Sequence, residues 1–257
     1  MSADWLAGLT VLLPDAVPPL WGLVFVIAAF FTSALTAAAG LGGGVSLIAI
    51  MLMAPLSPAV VIPVHGVVQL GSNAGRTLIM GRHIAWPILL LFVAGAAVGA
   101  VVGAQMVVAL NKVWLQLALG LFILWAVWTP KLKPRTMPLW GMAPAGAATT
   151  FASMFLGSTG PLVAVLLNAE TLGRFRTVAT FAGQMTAQHG LKVAAFGLVG
   201  FAYGEWLALM AAMVGMGFLG TLAGRWLLGR IPEAWFQWGF KAVITLLAAR
   251  LIGQALV

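Results

Sequence analysis

The stretch TAAAGLGGGVSLIAIM, residues 36–51, places four glycines inside a run that is otherwise as apolar as a lipid-spanning helix. Because glycine destabilises helices, Gly40, Gly42, Gly43 and Gly44 predict that the helix is interrupted here. An interruption exposes backbone N–H groups that hydrocarbon cannot satisfy, so it survives only beside other protein or water. The stretch therefore predicts a broken helix that faces the interior of a membrane protein.

The composition of the whole chain is that of an integral membrane protein. Of its 257 residues, 62% are hydrophobic and only 7% are charged, far from the balance of soluble domains. Cysteine is absent, which excludes disulfides and cysteine-ligated metals. The net charge of +8 is scattered over short loops rather than gathered in a patch, so we expect no nucleic acid partner.

Apolar segments fill nearly everything after Trp21. Read by length, they are 20–39, 43–55, 57–80, 85–109, 113–129, 138–156, 161–169, 174–202, 205–228 and 233–252. Segments 43–55 and 161–169 are too short to cross about 30 Å of hydrocarbon as helices. We expect an all-α polytopic protein with about eight to ten transmembrane helices, broken at the glycine motifs.

The two halves of the chain resemble each other, which predicts an internal duplication over residues 1–130 and 131–257. Two pairs of segments match at an offset of 121 positions: 98–103 with 219–224, and 114–116 with 235–237. Three residues match at an offset of 116: Gly44 with Gly160, Asn73 with His189 and Arg76 with Lys192.

The positive-inside rule favours an inverted repeat with five segments in each half. In that arrangement the cytoplasmic side carries Arg82, Lys131, Lys133, Arg135, Arg174, Arg176, Arg225 and Arg230, and the outer side carries Asp4, Asp15, Lys112 and Glu205. The alternative is that the short segments re-enter. The repeats then run parallel, and Arg174 and Arg176 move to the outer side.

A second glycine motif, Gly157-Ser-Thr-Gly-Pro161, occupies the matching place in the second half. Its hydroxyls and its proline are typical of the start of a helix. Two such breaks predict helix N-termini that point inward, where free N–H groups and the positive end of the helix dipole attract an anion. Close packing of small residues is the alternative, and we expect it for Gly95, Gly99 and Gly103.

Polar residues recur on one face of the next helix in each half. The first stripe contains His65, Gln69, Ser72 or Asn73, and Arg76; the second contains Thr180, Gln184, Gln188 and Lys192, with His189 alongside. Polar groups inside a membrane face a cavity or one another, so the stripes predict a shared polar path. Other interpretations stay open: Arg76 snorkels to the surface, and the histidines and glutamines only bond neighbouring helices.

All five acidic residues lie near segment ends: Asp4, Asp15, Glu170, Glu205 and Glu233. An interior with cations, hydroxyls and amides but no carboxylates favours an anion. Lys241 is a further cation within a segment, and Gly120 stands at its matching position.

Four features together resemble the sulfite exporter TauE/SafE family of membrane transporters. They are the Gly40–Gly44 motif, the polar helix 63–76, the Gly81-Arg-His83 turn and the glycine-rich helix 95–103. The resemblance implies export or exchange of sulfite, thiosulfate or organosulfonates. The chain departs from the family pattern in its second motif, which reads Gly157-Ser-Thr-Gly160, and in lacking a proline within 46–53.

We therefore expect a multi-pass transporter of the cell inner membrane that exports a small sulfur-containing oxyanion by alternating access. We expect no enzymatic activity, cofactor or metal; the partners are the anion and the lipid bilayer, and a homo-oligomer is left open. The predicted substrate-binding residues are Gly42, Gly43, Gly44, His65, Gln69, Ser72, Asn73, Arg76, Ser158, Thr159, Gly160, Gln184, Gln188, His189 and Lys192. The alternatives are an anion channel and a membrane-embedded enzyme that uses its histidines.

Overall fold

The computed structural model describes residues 13–39, 42–129, 137–227 and 233–256. These ranges form α-helices joined by short turns, without a β-strand. Several residues singled out above lie outside them: Asp4, Gly40, Lys131, Lys133, Arg135 and Arg230.

The helices of the first half are α1 (Pro19–Ala39), α2 (Gly43–Met51), α3 (Pro58–Met80), α4 (Trp86–Ala109) and α5 (Lys112–Trp128). Those of the second half are α6 (Met142–Leu156), α7 (Gly160–Ala164), α8 (Ala169–Leu172), α9 (Arg174–Leu198), α10 (Leu207–Leu227) and α11 (Glu233–Leu256).

Local sequence explains where several helices begin. Pro58 and Pro87 lie in the first turns of α3 and α4, where a missing N–H costs nothing. The Asn111 side chain accepts a hydrogen bond from the Val113 N–H at 3.0 Å and caps α5. The glycine-interrupted segments give two short helices, α2 with nine residues and α7 with five. Neither is long enough to cross a membrane, because a residue adds about 1.5 Å to a helix.

Within the described residues, three helices are long and apolar enough to cross a membrane: Pro19–Ala37, Trp86–Val107 and Tyr203–Gly224, the last of which includes the turn before α10. Val113–Trp128 and Ile244–Leu256 are shorter apolar helices. Helices α3 and α9, with 23 and 25 residues, have sufficient length but carry the polar stripes. The architecture is that of an all-α polytopic membrane protein.

Glycines hold two pairs of helices at close distance. A Cβ on Gly95 or Gly99 of α4 would overlap the carbonyl oxygen of Ala143 or Ala147 on α6. A Cβ on Gly220 or Gly224 of α10 would likewise overlap the carbonyl of Phe30 or Ala34 on α1. In both pairs the helices run parallel, since the numbers of the contacting residues increase in the same direction along the two helices. The sequence prediction of small-residue packing at Gly95 and Gly99 is correct.

The main contacts between the long helices come in equivalent pairs when the halves are exchanged. The pair α1 and α10 has its counterpart in α4 and α6, and the pair α3 and α10 in α4 and α9. The remaining large contacts, α3 with α9 and α5 with α11, each exchange with themselves. Each glycine-packed pair therefore takes one helix from each half of the chain.

Three arginines lie together at one end of the bundle. The ring of His83, in the turn after α3, lies 5.6 Å from the ring of Phe175 at the start of α9. This contact places Arg82 at the same end as Arg174 and Arg176; we call it the Arg82 end. Helices α1 and α10 begin at the other end, the Trp21 end, preceded by Asp15 and Glu205 respectively.

Candidate anion site at two interrupted helices

The two glycine motifs lie against each other. A Cβ on Gly44 would come within 2.9 Å of the Ser158 hydroxyl, and a Cβ on Gly157 would overlap Ile48 of α2. Gly42, which precedes α2, has φ 104°, and Gly157, which follows α6, has φ 68°. These left-handed conformations strongly favour glycine, so the sequence motif and the chain reversal are directly linked.

A small cavity opens where the motifs meet. It offers about 40 Å³ to the centres of water-sized molecules, which is enough for a few waters or one small oxyanion. Its described lining residues are Thr36, Gly42, Gly44, Val45, Gln69, Asn73, Arg76, Ser158, Gly160, Pro161, Phe181 and Met185. The lining has one charged side chain, that of Arg76, and no carboxylate among these residues.

Four pairs of lining residues are separated by 116 positions each. They are Gly42 and Ser158, Gly44 and Gly160, Val45 and Pro161, and Gln69 and Met185. The centre of the cavity is thus built from equivalent positions of the two halves. The other lining residues, Thr36, Asn73, Arg76 and Phe181, have no equivalent in the lining.

Hydrogen bonds hold the polar stripe of α3 in position beside the cavity. The Asn73 amide donates to the Gln69 carbonyl at 2.8 Å, and its oxygen accepts from Arg76 Nη2 at 2.9 Å. Arg76 is half-buried, and most of the five N–H groups of a guanidinium stay available beyond this bond. Arg76 can therefore bind an anion in the cavity without losing its hydrogen bond to Asn73.

Six other predicted residues form a separate cluster with no exposed surface: His65, Thr159, Gln184, Gln188, His189 and Lys192. The Lys192 ammonium donates to the Gly157 carbonyl at 2.6 Å. His65 Nε2 lies 2.9 Å from the Gly44 carbonyl, and the His65 and His189 rings are 6.3 Å apart. The Gln188 amide donates to the Thr159 hydroxyl at 2.7 Å. We call this set the buried cluster.

The buried cluster contains polar atoms without partners. They are Nδ1 of His65, both ring nitrogens of His189, both amide atoms of Gln184 and Oε1 of Gln188. A buried polar group left unsatisfied costs about 1–3 kcal/mol. The cluster therefore concentrates unsatisfied donors and acceptors in one buried place.

The structure therefore divides the predicted site into two parts. Seven of the fifteen line the cavity and six form the buried cluster; those in the lining are Gly42, Gly44, Gln69, Asn73, Arg76, Ser158 and Gly160. Gly43 packs against α1, because a Cβ there would overlap Thr36 and the Thr32 carbonyl. Ser72 is half-buried and is not part of the lining.

The sequence analysis missed five lining residues: Thr36, Val45, Pro161, Phe181 and Met185. The repeat offset contains the signal for two of them. Met185 is the counterpart of Gln69, and Phe181 is the counterpart of His65. Both side chains are apolar and therefore carry no polar signal in the sequence.

Two other features lie away from this site. The Lys241 ammonium sits 5.2 Å from the centre of the Trp128 ring, a cation–π contact between α11 and α5. A larger cavity of about 450 Å³ lies at the Trp21 end and includes Gln116, Arg250 and Gln254. It contains none of the predicted residues and neither glycine motif, so size alone does not identify the site.

Gly157→Ala tests whether the meeting of the motifs needs glycine. We expect it to lower the free energy of unfolding by roughly 2–4 kcal/mol, because alanine is strained at positive φ and its Cβ overlaps Ile48. Gly173→Ala is the control, since its φ is also positive, at 79°, but nothing lies within 4 Å. Thermal unfolding in detergent measures both; equal losses would show that backbone strain alone acts at Gly157.

The fold and the site together define a helical membrane protein with a small polar cavity where two interrupted helices meet, and the described lining of that cavity contains no carboxylate. The family model of the sulfite exporter TauE/SafE matches residues 25–251, and the chain belongs to this family of membrane transporters. No curated protein and no solved structure matches the chain.

Proposed function

We propose that the protein is a multi-pass carrier of the cell inner membrane that exports a small sulfur-containing oxyanion, such as sulfite, thiosulfate or an organosulfonate. The observation that carries the proposal is the Arg76 guanidinium beside a cavity that both glycine motifs line. Membership of a sulfite exporter family agrees with this chemistry.

The cavity offers the donors that an oxyanion needs. Arg76 supplies charge, and Gln69, Asn73 and Ser158 supply amide and hydroxyl groups. The first N–H groups of α2 have no partner within their own helix and lie at the cavity through Gly44 and Val45. With Arg76 as its one charged side chain and no carboxylate in the described lining, the cavity favours an anion over a cation.

Alternating access by two inverted repeats, 1–130 and 131–257, is the mechanism we propose. Three observations support it: the exchangeable helix contacts, the equivalent residues around the cavity, and the position of Arg174 and Arg176 at the Arg82 end. The parallel alternative needs these two arginines on the side opposite Arg82. An inside-negative potential supplies about 2.3 kcal/mol per exported charge per 100 mV, so export of a monoanion needs no coupled ion.

Replacing the cavity arginine tests the proposal. In proteoliposomes, Arg76→Gln is expected to reduce the efficiency of sulfite transport about 10–100-fold, because one charge-assisted contact contributes about 1.5–3 kcal/mol. Arg82→Gln is the matched control, because Arg82 lies six residues further along in an exposed turn. Its transport is expected to stay near that of the wild type.

A second measurement separates loss of binding from loss of movement. Sulfite is expected to raise the apparent melting temperature of the wild type and of Arg82→Gln, but not of Arg76→Gln. Full sulfite transport by Arg76→Gln would show that the Arg76 guanidinium does not bind the substrate. A flux that rises with sulfite concentration without saturation would indicate a channel rather than a carrier.

A further inference from the structure

We propose that His65, His189 and Lys192 form a second anion-binding station, which is closed in this conformation and opens when the Arg76 cavity closes. The proposal deepens the proposed transport function and rests on it. It assigns the buried cluster a role distinct from that of the cavity, instead of one continuous site.

The equivalence of the two halves provides the first argument. Three of the lining residues without an equivalent in the cavity, Arg76, Asn73 and Phe181, have counterparts at the offset of 116. Those counterparts are Lys192, His189 and His65, which are the three ionisable residues of the buried cluster. The cluster therefore holds the same three positions with the two halves of the chain exchanged, and its side chains are shut off from solvent.

The second argument is the relative position of the two cations. Helices α3 and α9 cross in antiparallel directions, since Thr77 bonds Thr186 at 2.7 Å while a Cβ on Gly66 would lie 3.0 Å from Lys192. Gly66 precedes Arg76 by ten residues, roughly 15 Å along α3. Arg76 thus lies toward the Arg82 end of this contact and Lys192 toward the Trp21 end.

The hydrogen bonds of the buried cluster show how it is kept closed. Lys192 donates to the carbonyl of Gly157, and His65 Nε2 lies at bonding distance from the carbonyl of Gly44. Both carbonyls belong to the glycine motifs. Their hydrogen bonds therefore engage the side-chain groups of Lys192 and His65 that could otherwise bind an anion. Movement of the motifs away from α3 and α9 releases these groups at the same time.

The unsatisfied atoms of the cluster indicate what it takes. Both nitrogens of His189 and Nδ1 of His65 are fully buried without a partner. Lys192 has no carboxylate partner in the described chain and, like the Nε2–H of His65, donates to a carbonyl that an anion can replace, while His189 has an unused ring N–H; together they suit an oxyanion, which accepts several hydrogen bonds at once. The chemical class of ligand is thus the one that the Arg76 cavity takes.

Transport kinetics from each side provide the first test. Sulfite half-saturation is measured in everted and in right-side-out vesicles, so that the Arg82 end and the Trp21 end each face the substrate in turn. Arg76→Gln is expected to raise half-saturation about tenfold or more from the Arg82 end and less than about threefold from the Trp21 end. Lys192→Gln is expected to show the reverse. Equal effects of the two variants from both sides would overturn the second station.

Cysteine labelling provides a test that does not depend on sulfite or on the folding of a Lys192 variant. The natural chain has no cysteine, so single cysteines can be placed directly. A membrane-impermeant maleimide disulfonate is expected to label Asn73→Cys only from the Arg82 end and its counterpart His189→Cys only from the Trp21 end. A His189→Cys protein that is labelled from neither end, or from the Arg82 end, would overturn the proposal.

The two tests separate this inference from the proposed function. A wild type that transports no sulfite defeats the proposed substrate, while the labelling pattern still decides whether two alternately exposed stations exist. Sulfite transport with no labelling of His189→Cys defeats the second station and leaves the Arg76 site in place.

Discussion

Gly220→Ala is expected to lower the free energy of unfolding by about 3 kcal/mol or more, at the upper end for overpacked interiors. The added methyl group would overlap the backbone carbonyl of Phe30. Because the obstacle is main chain rather than the end of a side chain, no rotamer change relieves it. The variant has to separate α10 from α1 along the whole contact.

Gly215→Ala on the same helix is the matched control. Gly215 is exposed, and nothing lies within 4 Å of a Cβ placed there. Alanine is the better helix former, so this variant is expected to be neutral or up to about 1 kcal/mol more stable. Thermal unfolding of both proteins in one detergent gives the comparison. Equal melting temperatures would mean that the α1 and α10 contact is looser than the structure shows.

Gly44→Val is expected to reduce sulfite transport to about one hundredth of the wild type or less, because overpacking here fills the site itself. A Cβ at Gly44 already lies 2.9 Å from the Ser158 hydroxyl and 3.3 Å from Gln69 Oε1. The branched side chain projects between the two motifs, where the cavity offers only about 40 Å³. Stability is expected to fall less than transport, since the obstacles are flexible side chains.

Gly75→Val is the control for Gly44→Val. Gly75 lies on α3, one residue before Arg76, and a Cβ there meets nothing within 4 Å. Gly75→Val changes helix propensity in the same way as Gly44→Val but does not fill the cavity. Uptake of radiolabelled sulfite and the sulfite-induced shift in melting temperature are measured for both variants. If Gly44→Val still binds and transports sulfite, the anion does not pass between the motifs.

Much of the helical framework was predictable from the sequence, because length and apolar content constrain membrane helices strongly. Segment 57–80 corresponds to α3 (Pro58–Met80) and segment 85–109 to α4 (Trp86–Ala109). The shortness of 43–55 predicted the short α2 correctly. Ends were less predictable: 174–202 continues four residues beyond α9, since Val199–Ala202 turns before Tyr203. Short helices such as α8 depend on local capping by Asn168.

The grouping of most of these residues in the folded chain was predictable, but its division into a cavity and a buried cluster was not. Glycine breaks and polar stripes identified residues that lie together in the folded chain, among them Gly44, Arg76 and Ser158. Sequence periodicity describes each helix alone and treats the two stripes alike. Only the packed structure shows that the Arg76 stripe borders a cavity while the Lys192 stripe is sealed. The predicted duplication does not specify which of the two stripes borders the cavity.

The close contacts of Gly99 with Ala147 and of Gly220 with Phe30 each join one helix from either half of the chain. Each closely packed pair of helices is thus shared between the two halves. In the carrier that we propose, neither half can move as one rigid block without separating these pairs. Movement is instead confined to the elements between them, and a fragment covering one half alone would leave both glycine-lined grooves unfilled.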